Sequence, residues 1–526
     1  MSLTPDLRTF LQLAARHPRR LVPVTRSFLA DGLTPVAVFR RMRKSAHAFL
    51  LESVERGERI GRYSFVGSAP DVIFRGHVFP EPGYVLERPG RKATPHAGDP
   101  LAALERYLAE NCAVVAVSAA PVPPFAGGAV GYLGYDIIRL IEPRLAASAP
   151  RNQGVPGVPE MLVPIYRTIV AFDHVMNTIT VVHHADPAAA SSPTASYRAA
   201  GAALEQVVRR LRAPVTEPLD ELLPPPPPAP RGAARRVAAA RQRLALRGNL
   251  DRTGYMAAVE KAKEYIKAGD IIQVVLSQRL SRHTQAAPFE VYRNLRAINP
   301  SPYMFYLQFG DLHLVGSSPE VMVRVQNGVI TVRPIAGTRP RGQDAAEDAR
   351  LAQDLLADPK ERAEHVMLLD LGRNDVGRVA QFGSVKVDEQ MTVEQYSHVM
   401  HIVSNVSGRI RPGLNAFAVL RACLPAGTVS GAPKIRAMEI IDELEPDRRG
   451  AYAGAVGVMD FKGNLNTCIT LRTFVMQARP HGGYDAYLQA GAGIVADSVP
   501  EREYDETLNK ARALLRALAA AEQRMS

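Results

Sequence analysis

Hydrophobic and polar residues alternate in two different ways on either side of the middle of this 526-residue chain. Before residue 213, segments with the two-residue period of a strand, such as residues 48–54 and 178–183, lie between turns rich in glycine and proline. After residue 248, strand-like segments alternate with longer segments that have the period of a helix. The pattern predicts short strands in the first half, and both strands and helices in the second.

Two helices are predicted in the second half. Residues 498–521 begin with Ser498, Pro500 and Glu501, which have the spacing of a capping box with proline in the first turn. The apolar stripe of this helix consists of Leu508, Ala511, Leu515 and Leu518. A second amphipathic helix is predicted over residues 253–268, followed by a strand over residues 271–276.

A proline run separates the two halves. Residues 224–228 are all proline, and the residues after them are rich in arginine. Because proline has no N–H group and prefers the extended polyproline II conformation, this segment indicates a semi-rigid linker. The predicted organisation is an N-terminal part over residues 1–212, a linker over residues 213–248 and a C-terminal part over residues 249–526.

The composition is that of a globular protein, with 46% hydrophobic and 22% charged residues. The net charge of +12 favours nucleic acid, anionic membranes or small anionic substrates as partners, although charge spread over solvated faces explains it equally well. A basic nucleic-acid-binding protein is therefore an alternative from another functional class. Against it, no aromatic residue that would stack on bases is interleaved with the arginines of residues 235–252.

The cysteine and apolar content indicate a cytoplasmic protein without membrane association. The three cysteines, Cys112, Cys423 and Cys468, have no metal-binding or redox spacing, as expected in a reducing compartment. The sequence contains no apolar run of about 18 residues, and its N-terminal residues lack the apolar core of a secretion signal. It also contains no tryptophan.

Two pairs of glutamates are spaced so that each pair shares one face of a helix. Glu361 and Glu364 form the first pair, and Glu503 and Glu506 form the second, with Lys510 one turn further on. Carboxylates from two helices suit Mg²⁺, which keeps coordination positions for water and for an anionic substrate. The alternatives are that these glutamates lie on solvated faces, or that Glu361 belongs to a helix cap, because Asp358 and Glu361 have the spacing of a capping box with Pro359 at the first helical position.

Two further features are ambiguous when considered alone. Gly491 and Gly493 follow a strand-like segment, and their N–H groups can receive a carboxylate, although close packing also accounts for such glycines. His401 precedes Ile402 and Val403, a setting more typical of a buried histidine than of an acid or base.

Several segments, taken in order, resemble the motifs of chorismate-utilising enzymes, and within that group they are similar to the large-subunit family of anthranilate synthases, component I. The segments are residues 299–306, 316–320, 334–342, 361–365, 370–377, 425–434 and 491–510. The resemblance extends more thinly to residues 50–53 and 127–135. It implies an α+β fold of antiparallel sheets flanked by helices, with an N-terminal regulatory part that interlocks with the rest.

The resemblance also implies a Mg²⁺ ion that bridges helix glutamates and the ring carboxylate of chorismate. In this sequence, Glu364 and Glu506 are the implied direct ligands, and Glu361 and Glu503 are implied to support the ion through water. The residues implied to contact chorismate are Gly337, Thr338, Tyr452, Arg472, Gly491, Ala492 and Gly493.

The same resemblance assigns catalytic roles. The residues implied at the reacting centre are Glu320, His401, Thr428, Lys510 and Gln273. Glu320 is the implied acid near the leaving C4 hydroxyl, and His401 is implied in the elimination of pyruvate. Isochorismate and salicylate synthases have a lysine in place of Gln273, and aminodeoxychorismate synthases have one in place of Ala336. Because this chain has neither lysine, ammonia is the implied nucleophile and anthranilate the implied product, in the first committed step of tryptophan biosynthesis.

The resemblance further implies partners and regulation. The chain has no glutaminase-like cysteine, so ammonia is expected from a glutamine amidotransferase subunit, component II, in a heterotetramer of two large and two small subunits. Feedback inhibition by L-tryptophan is implied at Ser53, Pro302, Tyr303 and Met304. The alternative within the family is an enzyme that stops at 2-amino-2-deoxyisochorismate.

Overall fold

Two large antiparallel sheets face each other in the computed structural model, which describes residues 3–43, 45–53, 61–116, 122–148, 154–213, 246–395 and 399–523. Sheet 1 has the order β1 (Val22–Leu29), β10 (Thr178–Ala185), β9 (Thr168–Asp173), β3 (Tyr63–Ser68), β2 (His47–Glu52), β13 (Tyr303–Phe309), β14 (Leu312–Ser318), β23 (Thr473–Ala478), β24 (Tyr484–Ile494), β12 (Gln273–Thr284) and β11 (Arg247–Gly248), with β20 (Gly431–Ala432) also on β12. Sheet 2 has the order β17 (Ile335–Pro340), β19 (Val399–Arg409), β16 (Val329–Val332), β15 (Val321–Gln326), β22 (Leu465–Ile469), β21 (Ala455–Asp460), β7 (Gly128–Leu133), β8 (Met161–Tyr166), β4 (Val72–His77), β5 (Gly83–Glu87) and β6 (Thr94–Ala97), with β18 (Lys386–Gln395) also on β19.

Helices cover the outer face of each sheet. On sheet 1 lie α1 (Leu7–Arg16), α2 (Pro35–Met42), α5 (Pro193–Arg212), α6 (Arg252–Lys267), α7 (Pro288–Ile298), α11 (Lys434–Leu444) and α12 (Pro500–Gln523). On sheet 2 lie α3 (Pro100–Asn111), α4 (Pro143–Ala146), α8 (Ala345–Ala357), α9 (Pro359–Gly377) and α10 (Ala416–Cys423). Short 3₁₀ turns occupy Tyr135–Leu140 and Gly427–Val429. The arrangement confirms the expected α+β class of antiparallel sheets flanked by helices.

A third apolar core fills the space between the two sheets. Its large rings include Phe49 and Phe305 from sheet 1 and Tyr132 and Tyr166 from sheet 2, and the ring centroids of Phe49 and Tyr166 are 4.8 Å apart. Because each inner strand buries both of its faces, its residues are apolar on both sides rather than alternately apolar and polar.

The two halves of the sequence interlock, as predicted. In sheet 1, β2 pairs with β13, and in sheet 2, β7 pairs with β21. The predicted linker lies almost entirely outside the described residues, apart from Ala213 and residues 246–248. Among the helices in the described ranges, not one has the length and hydropathy that a membrane span requires.

The predicted local elements hold with shifted ends. The strands expected at residues 48–54 and 178–183 are β2 and β10, and the helix expected at residues 253–268 is α6. The strand expected at residues 271–276 starts two residues later and continues to Thr284, because its register with β24 extends along its full length.

The capping box expected at Ser498 is wrong. Helix α12 begins at Pro500, and the N–H groups of Arg502 and Glu503 donate to the Val499 carbonyl. The Ser498 hydroxyl instead accepts a hydrogen bond from the Val495 N–H. Of the predicted stripe, Leu508, Ala511 and Leu518 are buried, whereas Leu515 is half-buried because the fully buried position belongs to its neighbour Leu514.

Gly67 offers a test of the packing between the sheets. It faces Phe49 across β3 and β2, and a Cβ at this position would lie 2.2 Å from Phe49 Cε1. Gly67→Ala therefore forces the ring from its place, and we expect a loss of about 1–3 kcal/mol in the free energy of unfolding by urea. Gly377→Ala, at a helical position with open space around the new Cβ, should leave this free energy unchanged or raise it by up to about 1 kcal/mol. Equal unfolding midpoints for Gly67→Ala and the wild type would contradict the prediction.

Candidate active site

Two connections carry the chain from one sheet to the other, and they lie side by side. The first passes through Glu320, between β14 of sheet 1 and β15 of sheet 2, and the second through Arg472, between β22 of sheet 2 and β23 of sheet 1. The Ile469 N–H donates to the Glu320 carbonyl at 3.0 Å, and the Ser317 N–H donates to the Arg472 carbonyl at 3.1 Å. Residues distant in sequence thus place a carboxyl and a guanidinium in one buried space.

Glu320 is held in its acid form. Its side chain is buried, with 8% of the residue exposed, and burial raises its pKa to about 8. The Thr428 hydroxyl and the cations Lys510 and Arg472 act in the opposite direction but are outweighed. Thr428 Oγ1 is itself buried and makes no hydrogen bond of normal geometry within the described part of the chain. At neutral pH, therefore, Glu320 can donate a proton.

Gly491 and Gly493 of β24, here called the glycine strip, expose backbone groups next to this acid. Gly491 and Gly493 stand opposite Ser277 and Val275 of β12, but the N–H groups of both β12 residues bond on the far side of that strand. In an antiparallel ladder, the N–H and C=O groups of both glycines then point away from β12. The register of β23 with β24 has ended by this point, and the Gly491 carbonyl accepts a hydrogen bond from Lys510 Nζ at 2.9 Å. The sequence analysis placed the two glycines after a strand-like segment, and in the structure they lie within that strand, which continues to Ile494.

Side chains fill the space that glycine leaves. A Cβ on Gly491 would lie 2.8 Å from the Tyr452 hydroxyl, and one on Gly493 would lie 2.6 Å from Gln273 Nε2. Ala492 points the other way, into the helix-covered core of sheet 1, so its side chain does not face the glycine strip. A cavity of about 760 Å³ borders this group at Tyr452 and Gln489, but its lining does not include Glu320, Arg472, Gln273 or either glycine.

A buried ion pair of Arg449 and Glu445 contacts the segments that carry these residues. Arg449 donates to both carboxylate oxygens of Glu445, at 2.9 and 2.6 Å, and to the carbonyls of Val429 at 2.6 Å and Val275 at 2.7 Å. Its guanidinium also lies 5.5 Å from the centroid of the Tyr452 ring. The sequence analysis did not single out Arg449 or Glu445, because the other groups that bond to this i, i+4 pair, such as the Val275 carbonyl, come from other segments.

The two glutamate pairs lie near one another on α9 and α12. The pKa of Glu364 is raised, first by burial and then by the charges of Glu361 and Glu506, and the pKa of Glu503 is raised by burial and by Glu506. Lys510 Nζ lies 2.8 Å from Glu506 Oε1 and opposes both shifts. The helices therefore bring all four predicted carboxylates and the predicted lysine into one electrostatic neighbourhood.

These carboxylates are not drawn together into a closed metal site. Within the ranges that the structure describes, no three Asp, Glu, His or Cys side chains converge closely enough to hold a metal ion. Glu361 is instead 3.2 Å from Arg339 Nη1, and Arg339 also binds Asp354 and Asp358. Like charges hold the four carboxylates apart unless a cation lies between them. Asp358 also caps α9 by accepting from the Lys360 and Glu361 N–H groups, as its spacing predicted.

His401 lies at the edge of the same neighbourhood. Its Nδ1 is 2.8 Å from the Gly337 carbonyl and 3.1 Å from Thr338 Oγ1. Burial lowers the pKa of His401, which keeps the ring neutral, and Arg472 acts in the same direction. A Cβ on Gly337, whose φ is +68°, would lie 3.1 Å from Glu361 Oε2. The irregular pairing of β17 with β19 therefore places His401, Gly337 and Thr338 beside the carboxylates.

The four residues expected to bind tryptophan meet at a second cavity, of about 370 Å³, between the two sheets. They are Ser53, Pro302, Tyr303 and Met304. Ser53 Oγ is buried and makes no hydrogen bond within the described ranges. Glu52, which the sequence analysis did not assign to a site, also lines this cavity and accepts hydrogen bonds from Tyr292 at 2.6 Å and Arg296 at 3.0 Å.

The raised pKa of Glu320 predicts a pH dependence of stability. The folded protein retains a proton on Glu320 that the unfolded chain releases near pH 4.5. The contribution of this group to stability is therefore most favourable below that pH and falls up to about pH 8. This one group should lower the free energy of unfolding by roughly 1.4 kcal/mol per pH unit in that window. Glu320→Gln removes that part of the slope in urea unfolding, whereas the exposed Glu501→Gln keeps it. Parallel profiles for Glu320→Gln and the wild type would show that Glu320 ionises normally.

Comparison with known proteins agrees with this geometry. The sequence profile of the family described as chorismate binding enzyme matches residues 83–516. Anthranilate synthase component 1 of Pseudomonas aeruginosa is 47% identical over 515 residues, which cover 98% of each chain. The crystal structure of anthranilate synthase component I from Streptococcus pneumoniae superposes with a TM-score of 0.72 at 36% identity and covers 93% of this chain and 99% of that one.

A more distant structure shares the fold alone. The menaquinone-specific isochorismate synthase of Escherichia coli covers 97% of this chain and 99% of its own length, with a TM-score of 0.66 and 20% identity. The acid at the crossing of the sheets, the glycine strip and the helix glutamates thus stand on the fold that these enzymes share. On the family match and the identity over nearly its whole length, the chain belongs to the chorismate-binding enzymes and, among them, to the anthranilate synthase component 1 family.

Proposed function

We propose that the chain converts chorismate and ammonia to anthranilate and pyruvate with the aid of Mg²⁺. The observation that carries this proposal is the pairing of a protonated buried acid, Glu320, with Arg472 at the crossing between the sheets, beside the glycine strip of β24. The chain also has Gln273 and Ala336 where water-adding and lysine-dependent relatives have lysines. The family to which it belongs supports the same reaction.

The helix glutamates fit a Mg²⁺ ion. Their oxygens are the donors that this hard cation prefers. Burial raises the pKa values of Glu364 and Glu503, and repulsion from neighbouring carboxylates adds to both shifts. Glu364 and Glu506 would hold the ion directly, with Glu361 and Glu503 behind them. When bound, Mg²⁺ neutralises the substrate carboxylate and polarises it for the displacement.

The residues of the chain orient chorismate, which carries two carboxylates. Arg472 offers a planar fork of donors to one carboxylate, and the N–H groups of Gly491 and Gly493 offer a second anion-binding surface. Lys510 adds a positive charge on the same side, because it is held near Gly491 and Glu506. Tyr452 limits the space above the glycines.

The first chemical step replaces a hydroxyl by an amino group. Ammonia forms a bond to C2 of chorismate while the bond from C4 to its hydroxyl breaks, and Glu320 gives that hydroxyl the proton with which it leaves as water. The ammonia must arrive unprotonated, and the new ammonium group gives one proton to water to become the amine. Gln273 cannot act as the base that would activate water instead, which favours ammonia as nucleophile.

The second step eliminates pyruvate and makes the ring aromatic. The C2 proton leaves, the bond between C3 and the enolpyruvyl oxygen breaks, and the enol takes up a proton to become pyruvate. His401 is suited to accept the C2 proton, because it is neutral and its Nδ1 donates to the Gly337 carbonyl, which leaves the lone pair on Nε2. An enzyme without this step would release 2-amino-2-deoxyisochorismate.

Two further parts of the proposal concern regulation and supply. The cavity between the sheets suits L-tryptophan, since Ser53 offers a hydroxyl for the amino-acid group and Pro302, Tyr303 and Met304 offer an apolar slot for the indole ring. The name component 1, carried by the relatives, supports a partner component, for which we propose a glutamine amidotransferase subunit in a heterotetramer of two large and two small subunits.

Product analysis with ammonium tests the reaction. The purified chain should form anthranilate and pyruvate from chorismate, an ammonium salt and Mg²⁺, and it should form neither from glutamine, because no glutaminase chemistry is present in it. Glu364→Gln should lower kcat at least 100-fold, as expected when an inner ligand is lost. Turnover of glutamine by the pure chain would contradict the need for a partner, and a product with the mass of 2-amino-2-deoxyisochorismate would contradict the second step.

Substitution at Ser53 tests the regulatory cavity. Ser53→Phe fills the space for the indole ring, so kcat should be retained while inhibition by tryptophan is lost. The matched variant Ser53→Ala removes one hydrogen bond and should weaken inhibition roughly 5- to 10-fold, corresponding to about 1 kcal/mol. Because the chain contains no tryptophan, the fluorescence of added tryptophan reports its binding directly. Full inhibition and unchanged fluorescence titration of Ser53→Phe would place the inhibitor elsewhere.

A further inference from the structure

Two of the segments that identified the family meet in an ion pair that the proposed reaction does not use. Lys434 Nζ, from residues 425–434, lies 2.9 and 2.8 Å from the two carboxylate oxygens of Asp375, from residues 370–377. Both side chains are largely buried, with 12% of the Lys434 side chain and 8% of the Asp375 side chain exposed. The desolvation cost of a buried ion pair is often not offset by the attraction between its two charges.

A small cavity connects this ion pair with the catalytic acid. The cavity has a volume of about 30 Å³, and Asp375 lines it together with Glu320 and Thr428. This volume has room for about one or two water molecules. A water molecule there has polar partners in the Glu320 and Asp375 carboxyl groups and in the buried Thr428 hydroxyl, which makes no hydrogen bond of normal geometry in the described part of the chain.

The proposed reaction requires Glu320 to regain its proton after each turnover. It gives up one proton to the leaving hydroxyl in every turnover, and its charged neighbours toward the proposed substrate are Arg472 and Lys510. Those two neighbours are cations that oppose the return of a proton to Glu320. The cavity lined by Asp375 offers another approach, because neither cation is among the residues that line it.

We propose that Asp375 is a proton relay for Glu320, an inference that rests on the proposed function. A proton from solvent binds the Asp375 carboxylate, and a proton then passes through water in the cavity to the Glu320 carboxylate. Only O–H bonds form and break, and no other reactant is needed. Lys434 and Arg378 face Asp375 and return it to its ionised form after each transfer.

A comparison of the rate of the first turnover with the rate of later turnovers distinguishes a relay from a purely structural role of Asp375. Glu320 already carries its proton before the first turnover at neutral pH. In a rapid-quench experiment with chorismate, ammonium and Mg²⁺, Asp375→Asn should therefore form one product per site at the wild-type rate. Its steady-state rate should then be at least ten-fold lower, with an increased solvent deuterium isotope effect.

Two matched variants serve as controls. Asp375→Glu keeps a carboxylate that can carry a proton, and it should recover most of the steady-state rate. Lys434→Met breaks the same ion pair but keeps the Asp375 carboxylate and also Arg378, which still favours its ionised form. Its steady-state rate should therefore remain closer to that of the wild type than that of Asp375→Asn does. Far-ultraviolet circular dichroism and thermal unfolding would establish that each variant is folded.

The results that would overturn the relay differ from the result that would overturn the proposed function. If Asp375→Asn and Lys434→Met slow the first turnover and the later ones equally, or if Asp375→Asn shows no slow phase after the first product, the relay is overturned. An unfolded Asp375→Asn together with an Asp375→Glu variant that is folded but slow would also overturn it. Failure of the wild-type chain to form product at all would instead overturn the proposed function.

Discussion

The arrangement of the candidate site depends above all on the buried pair of Arg449 and Glu445. Isolating these two charges from water has a large cost, which is offset only because their polar groups are hydrogen-bonded to one another and to the backbone. The bonds from Arg449 fix the carbonyl that follows Thr428 and hold β12 two residues beyond Gln273, while its guanidinium packs against Tyr452. The loop that carries Thr428, the strand that carries Gln273 and the turn that carries Tyr452 consequently share one anchor. A shift of the loop or the strand breaks a hydrogen bond to a buried charge, and a shift of the turn breaks the contact between the Tyr452 ring and the guanidinium.

Burial acts on every carboxyl group of the site, but the neighbours decide what each group does. Glu320 faces a hydroxyl and two cations that do not offset its desolvation, so it keeps a proton and serves as an acid. Glu364 and Glu503 combine burial with repulsion from other carboxylates, which is the condition that a divalent cation relieves. Lys510 lies between these two groups of residues, and its exposed pairing with Glu506 contributes little to stability, so the lysine remains available to an anionic substrate.

The sequence predicted the type of most elements, and the helix faces that carry the candidate glutamates, far better than it predicted how the elements are connected. The spacing of Glu361, Glu364, Glu503 and Glu506 correctly indicated helix faces, and Asp358 caps a helix as expected, because these are local properties. Ser498 has the composition of a cap but serves another turn, since tertiary packing decided where α12 begins. Arg449 left no trace in the sequence, because one of its carbonyl partners lies 174 residues earlier. The crossings that pair Glu320 with Arg472 were equally invisible, as they depend on the order of strands in two sheets.

The interlocked sheets also set conditions for how the chain can fold. Strand β2 needs a partner about 250 residues later in the sequence, and β7 needs one more than 300 residues later. Loop closures of this length slow folding, and they leave strand edges exposed until the partners arrive. During synthesis, the first half of the chain therefore emerges with unpaired β edges that no later step can satisfy until most of the C-terminal half is made. Such a nascent chain is prone to aggregation, so its yield in a cell should depend strongly on chaperones and on the rate of translation.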